Sequence, residues 1–158
     1  LGFNNQGSEI ILDRIKSNNK LGAVMAKRFA KAQNTDDGLM LNSDGNITET
    51  SSANIFCIND GILRTPPIYD GLLPGVTRRL TLGLASSIGL IVKEESITPK
   101  KLEKANAIFV TSAATGIRNV EKIEDTIFPK NQLVNQLQKA YDEELSKLTI
   151  SSAISTGS

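Results

Sequence analysis

Glu49 and the segment Gly75-Val76-Thr77 are the residues of this chain best suited to chemistry. Glu49 follows Ile47-Thr48 and precedes Thr50-Ser51-Ser52-Ala53, side chains too small to bury a carboxylate under hydrophobic mass. An acid there can pair with a pyridinium nitrogen and keep it protonated, which makes the ring an electron sink; taken alone it also reads as an exposed hairpin acid. Leu73-Pro74-Gly75-Val76-Thr77-Arg78 can open a helix. The first-turn N–H groups and the Thr77 hydroxyl would then suit a phosphate, although plain helix capping uses the same residues. Ser112-Ala113, following an apolar run, offers a second small-residue turn whose backbone N–H groups can grip an anion, or simply reverse the chain. Lys16 is the candidate covalent link: a buried lysine of lowered pKa forms a Schiff base and shuttles protons, whereas an isolated lysine is a surface charge. Together an acid, a helix N-terminus and a lysine can hold the ends of a phosphorylated, nitrogen-containing cofactor.

Composition narrows the alternatives. The 158 residues fit one domain or one lobe of a larger protein, and 39% hydrophobic with 22% charged residues fits a soluble globular class. With net charge +1 and pI near 8.0, nothing points to nucleic acid or anionic lipid. The densest basic cluster, Lys100, Lys101 and Lys104, is interleaved with Glu103 and reads as a solvated helix face. No apolar run approaches the ~18 residues of a bilayer span. The chain begins at Leu1 and shows no secretory signal, so its natural start is expected to lie upstream. The single cysteine, Cys57, excludes an internal disulfide, agrees with a reducing cytoplasm, and reads as an inert core thiol within Ile55-Phe56-Cys57-Ile58. The absence of histidine removes Ser-His-Asp triads, Cys-His nucleophiles and His-based zinc sites. Proton transfer in an enzyme of this composition falls to Lys, Asp, Glu or Tyr.

The elements that must position these residues follow from patterning. Residues 1–9 read as a loop, Glu9-Ile10-Ile11-Leu12 as a short strand or linker, and Lys20 to Gln33 as a helix with an apolar stripe of Leu21, Val24, Met25, Phe29 and Ala32. Leu39-Met40-Leu41 and Ile47-Thr48 flank a turn containing Asp44-Gly45; Ala53–Ile58 and Ile62–Thr65 flank Asn59-Asp60-Gly61. Both are hairpin signals. A helix of about 13 residues from Gly75 to a closing Gly89 carries Leu80, Leu82, Leu84 and Ala85. Leu90-Ile91-Val92 reads as a strand, and Thr98-Pro99 caps a short helix. Ala107–Thr111 reads as a buried strand, Val120–Phe128 as a hairpin, and Pro129 to Leu148 as a helix with a stripe of Leu133, Val134, Leu137, Ala140, Tyr141 and Leu145. Ser151–Ser158 is expected to be a mobile tail. The class is α+β.

Five motifs in this order carry a family resemblance: Lys16-Ser17-x-Asn19-Lys20-Leu21; Gly45-x-Ile47-Thr48-Glu49-x-x-x-Ala53-Asn54-Ile55-Phe56; Thr65-Pro66; Leu73-Pro74-Gly75-Val76-Thr77-Arg78; and Phe109-Val110-Thr111-Ser112-Ala113. Over roughly residues 10–148 the chain resembles the class IV aminotransferases, fold-type IV pyridoxal-phosphate enzymes that include branched-chain and D-amino acid aminotransferases and aminodeoxychorismate lyase. The resemblance implies a C-terminal large domain of the D-amino acid aminotransferase-like fold, a mixed, β-barrel-like sheet with flanking helices. It divides the chain into a truncated interdomain segment 1–15, a cofactor domain 16–148 and a tail 149–158. It implies pyridoxal 5'-phosphate as cofactor and Lys16 as the Schiff-base and proton-carrying lysine. It places Glu49 on the pyridine nitrogen, Leu73 against the ring, Val76 and Thr77 in the phosphate turn, and Ser112 and Ala113 in the second phosphate loop. Lys20 stands where aminotransferases of the family commonly carry tyrosine and the lyases a basic residue, which tilts the expectation toward the lyase. That enzyme releases pyruvate and 4-aminobenzoate for folate synthesis. The alternatives are a branched-chain or D-amino acid aminotransferase and an inactive fragment. Only fifteen residues precede Lys16, so the smaller N-terminal domain, with its phosphate-binding arginine and part of the substrate pocket, is expected to be missing. The expected setting is a cytoplasmic homodimer acting on a small amino substrate, without nucleic acid or membrane.

Overall fold

The computed structural model describes residues 3–4 and 21–155, and the side chains of 21–147. Lys16, Lys20 and the Glu9–Leu12 run lie outside the described residues. Among the described residues ten strands and four α-helices follow in order: β1 (Phe3–Asn4), α1 (Leu21–Ala32), β2 (Leu39–Leu41), β3 (Ile47–Thr50), β4 (Asn54–Asn59), β5 (Ile62–Thr65), a 3-10 turn (Ile68–Asp70), α2 (Val76–Ser87), β6 (Ile91–Glu94), α3 (Pro99–Glu103), β7 (Ala107–Ser112), β8 (Gly116–Val120), β9 (Lys122–Ile123), β10 (Thr126–Ile127) and α4 (Gln132–Ser155). The class is α+β, as the patterning predicts.

The centre is a five-stranded mixed sheet in the order β6-β5-β4-β7-β8, with β5 and β6 parallel and the other pairs antiparallel. A three-stranded sheet β1-β2-β3 and the β9–β10 hairpin complete the strands. The β4–β5 connection is a two-residue turn in which Asp60 and Gly61 take φ of 52° and 74°, the left-handed conformation that Asp-Gly tolerates and a tight hairpin needs.

Strand β4 is buried on both faces, so its side chains divide two cores by their alternation. Phe56 and Ile58 join Phe109, Leu63, Ala85, Ile117, Val134, Leu137 and Tyr141 beneath α2 and α4. Phe56 and Phe109 are directly opposed across the ladder and their rings stack at 4.9 Å. Ile55 and Cys57 face the other way, against Ile47, Ile97, Leu102, Ile108 and Phe128. Cys57 is the inert thiol expected: burial pushes it up to about 11, against the lesser opposing pull of Arg64 and Lys101, so it stays protonated at neutral pH. No helix among the described residues is long and apolar enough to cross a membrane.

Several local expectations are corrected. The Leu21, Val24, Met25 stripe of α1 faces solvent, and the helix buries Ala26 and Ala30 instead. The reason is close approach: a Cβ on Gly38 would lie 2.8 Å from the Ala26 carbonyl oxygen, so α1 docks through its smallest residues. Phe3–Asn4, expected as loop, pairs in parallel with β2. Strand β8 lies outside the elements expected from patterning; only Ile117 of its five residues is buried, leaving too little alternation to mark an edge strand. Helix α4 continues past Leu148 to Ser155, into the expected tail, and Leu145 of its predicted stripe is 41% exposed.

Truncating the stacked pair should therefore be costly where changing α1's outer stripe is not. Phe109→Ala is expected to lower stability by about 3–5 kcal/mol and Val24→Ala by under ~0.5 kcal/mol, as read from urea unfolding. Equal losses would contradict the packing described.

Candidate active site

Glu49 is half-buried near the end of β3, between the buried threonines Thr48 and Thr50. The chain turns sharply after it: Thr50 N–H donates to the Ala53 carbonyl at 2.8 Å, and the Thr50 hydroxyl accepts from Ala53 N–H at 3.0 Å. Asp37, from the loop between α1 and β2, clamps this turn. Its carboxylate accepts from the hydroxyls of Thr50, Ser51 and Ser52 and from Gly38 N–H. Burial works to raise the Asp37 carboxyl, but the combined hydrogen bonds from Ser51, Ser52, Gly38 and Thr50 outweigh it and hold it below the usual carboxylate value. The small polar residues after Glu49 thus have a structural task as well as leaving the acid uncovered.

Asn54 begins β4 and is 6% exposed. Its amide nitrogen donates to Glu49 Oε2 at 3.2 Å and to the Leu73 carbonyl at 2.7 Å. Leu73 N–H returns to Glu49 Oε2 at 3.3 Å, and Gly75 N–H donates to the Leu73 carbonyl at 2.9 Å. A Cβ on Gly75 would collide with Asn54 Oδ1, so glycine is required where the loop crosses the amide. The acid and Gly75, the residue before α2, 26 positions apart (75 − 49), meet through one side chain.

The approach to α2 is held elsewhere as well. Arg78, 3% exposed, donates from Nη2 to the Pro66 carbonyl at 2.9 Å and to Glu94 at 2.6 Å. Asn42 donates to the Asp70 carbonyl at 3.2 Å and Ser96 to Asp70 Oδ1 at 3.1 Å. Burial pushes the Asp70 carboxyl up, with the Ser96 hydrogen bond opposing and Asp44 adding to the rise.

Helix α2 starts after Gly75, which makes no side-chain cap. Its first N–H groups lack intrahelical partners and carry the positive end of the dipole. Thr77 is buried and Val76 is 70% exposed, so Val76 has only its backbone to offer an anion here. The second small-residue turn reaches the same end of the sheet through the β4–β7 register, in which Asn54 opposes Thr111, the residue before Ser112. Within the turn the Ser112 and Thr115 hydroxyls lie 2.8 Å apart, and Thr115 N–H donates to Ser112 Oγ at 3.2 Å. Thr111 Oγ1 is buried without a hydrogen-bond partner among the described residues. Behind this turn is an open cleft of about 480 Å³ between Ala113–Ile117 and Gln138, Tyr141 and Asp142 of α4; its lining includes neither Glu49 nor Thr77.

Of the predicted site residues, Glu49 and Leu73 are in direct contact, Val76 and Thr77 begin the helix led in by Leu73, and Ser112 and Ala113 follow Thr111 at the same sheet end. The residue that sequence reasoning leaves without a role is Asn54. Its signal is position: a lone amide between a run of small polar residues and an apolar strand.

The structure thus sets an acid against a loop that delivers a helix N-terminus without a side-chain cap, on a mixed sheet backed by helices. The class IV amino-transferase profile matches residues 6–123, and the chain belongs to that family. A Methanocaldococcus jannaschii protein provisionally named a branched-chain-amino-acid aminotransferase is 32% identical over 136 residues, covering 86% of this chain and 47% of its own length. A Legionella pneumophila crystal structure, provisionally named 4-amino-4-deoxychorismate lyase, superposes with a TM-score of 0.82 at 36% identity over 84% of this chain and 50% of the other. A branched-chain amino acid aminotransferase from Thermobaculum terrenum, solved in its PLP form, superposes with a TM-score of 0.80 at 26% identity over 83% of this chain and 44% of that one. The chain spans about half the length of the curated relatives it matches.

Two measurements check the site's construction. Gly75→Ala should destabilise the protein by roughly 1–3 kcal/mol through overpacking against Asn54, a loss that an open turn would not show on chemical unfolding. Because the folded-state pKa of Asp37 is lowered, its contribution to stability is complete well above the ordinary value of 3.8 and is lost as the pH falls through the lower folded value. Asp37→Asn should therefore be less stable than the parent at neutral pH, with a shallower decline of the urea midpoint in acid. Parallel pH profiles would contradict this role.

Proposed function

We propose that this chain is the cofactor-binding part of a pyridoxal-phosphate enzyme, and that the reaction is the conversion of 4-amino-4-deoxychorismate to pyruvate and 4-aminobenzoate, a step of folate synthesis. The observation that carries the cofactor assignment is the Glu49 carboxylate fixed by Asn54 and by Leu73 N–H, on the loop that ends at the uncapped start of α2. The donor set fits the group. A carboxylate suits a pyridine nitrogen, while the first-turn N–H groups, Thr77 and the Ser112-Ala113 turn suit a phosphate. Gly75 lets the backbone pass where a side chain would collide.

When bound, pyridoxal phosphate supplies an electron-withdrawing ring that stabilises negative charge at the carbon next to the substrate nitrogen. Glu49 would hold the ring nitrogen protonated. Leu73 would pack on the ring, and Val76, Thr77, Ser112 and Ala113 would hold the phosphate. Lys16 would hold the cofactor through its Nζ and would carry the proton as acid and base. Lys20 would stand near the cofactor's phenolic oxygen. Lys16 and Lys20 are assigned these roles by motif position; Lys20 supports elimination over transfer, and the Legionella protein is a relative that carries the lyase name. A second reading, amino transfer by the same residues, is supported by the branched-chain aminotransferase name of the Methanocaldococcus relative. The smaller N-terminal domain of such enzymes would complete the substrate pocket, and we take the assembled protein to be a cytoplasmic homodimer.

The whole protein, given 4-amino-4-deoxychorismate, is expected to release pyruvate, with kcat reduced about 10²-fold or more in Glu49→Gln and activity lost in Lys16→Ala. Amino transfer to 2-oxoglutarate without pyruvate release would replace the lyase with the second reading. If borohydride fixes no pyridoxal phosphate onto the protein, as read by intact mass, both readings fail and the chain is a scaffold without cofactor.

A further inference from the structure

The geometry points to Asn54 as a positioning residue that couples the two ends of the cofactor site, so that the grip on the phosphate and the placement of the Glu49 carboxylate are not independent. The inference rests on the pyridoxal-phosphate reading and adds to it a residue that would touch neither the ring nor the phosphate.

An asparagine amide has two N–H donors on one nitrogen and one acceptor oxygen. In this site both donors are spent, one on Glu49 Oε2 at 3.2 Å and one on the Leu73 carbonyl at 2.7 Å. The opposite orientation of the amide would set oxygen against two acceptors, so the chemistry of the neighbours fixes which way the group faces. Leu73 then closes the circuit by donating its own N–H to the same Glu49 oxygen at 3.3 Å. Carboxylate, amide and loop backbone form one cycle of hydrogen bonds, and none of the three can shift without the others.

The cycle extends to the helix. The Leu73 carbonyl that receives Asn54 also accepts Gly75 N–H at 2.9 Å, and Gly75 rests on Asn54 Oδ1. Both the donor and the acceptor side of the amide therefore set where α2 begins. The residue is 6% exposed, so water does not readily replace a lost donor. On the far side, the sheet register holds Asn54 opposite Thr111, one residue ahead of the Ser112 turn. A displaced amide would disturb Glu49 directly and the phosphate turn through Leu73 and Gly75.

The test uses the whole protein freed of cofactor, with Glu49→Gln, Asn54→Ser, Asn54→Asp and the double variant Glu49→Gln/Asn54→Ser. Calorimetric titration measures the Kd of inorganic phosphate and of pyridoxal 5'-phosphate. Glu49→Gln should weaken pyridoxal 5'-phosphate about tenfold. Asn54→Ser should weaken both ligands roughly tenfold or more, and the double variant should bind pyridoxal 5'-phosphate little worse than Asn54→Ser alone. Asn54→Asp, which sets a second carboxylate against Glu49, should be at least as impaired; if it does not fold, Asn54→Ser carries the test. Unchanged phosphate affinity in Asn54→Ser, or losses that multiply in the double variant, would overturn the coupling while leaving the cofactor reading intact. A parent protein that binds pyridoxal 5'-phosphate no better than inorganic phosphate would overturn that reading and this inference with it.

Discussion

Antiparallel pairing of β4 with β7, at the centre of the five-stranded sheet, sets five successive residue pairs from Asn54–Thr111 to Ile58–Ala107. Each strand alternates between two buried faces, so a slip of one residue would exchange the contents of the two cores. The Phe56–Phe109 stack and the rows beneath α2 and α4 leave no such freedom. With the register fixed by hydrophobic packing, the polar ends of both strands are fixed as well. Asn54 comes to stand beside the residue that precedes the Ser112 turn. The core thus decides the location of the polar site without contributing an atom to it.

The second constraint is the loop between Thr65 and Gly75, which has little regular structure of its own and is held by side chains from several other elements. Arg78 grips Pro66, Asn42 and Ser96 grip Asp70, and Asn54 and Glu49 grip Leu73. Each neutral bond contributes only about 0.5–1.5 kcal/mol net. Their collective effect is to settle the loop's conformational entropy in the folding step, so that a ligand arriving at the first turn of α2 does not have to order it. The Asp37 cluster performs the same service for the turn that follows Glu49. Both ends of the site are preorganised by polar contacts anchored on rigid strands, which suits a function that depends on holding a group in one orientation.

Much of this was legible in the residue pattern because the signals are local. Asp60-Gly61 demands a tight hairpin, Thr98-Pro99 starts a helix, and the apolar runs of β4 and β7 read as buried strands. Glu49, Leu73, Val76, Thr77, Ser112 and Ala113 could be picked out by type, and their order along the chain marked the family. What failed was what depends on partners. The outer stripe of α1 has helical periodicity, yet the fold turns Ala26 and Ala30 inward because Gly38 comes too close for anything larger. Strand β8 has almost no pattern because its pairing with β7 is a matter of backbone hydrogen bonds at a sheet edge.

The sequence by itself determined the α+β class, the family and the chemical types at the candidate site, since these follow from short-range propensity and from motif order. Only the tertiary structure decided that Asn54 joins an acid to a loop 19 residues away from that asparagine (73 − 54), and that two separate small-residue turns share one end of a sheet. Hydrogen bonds between distant residues depend on register and loop path. Those are set by the packing of the whole core, which no local stretch of the chain encodes.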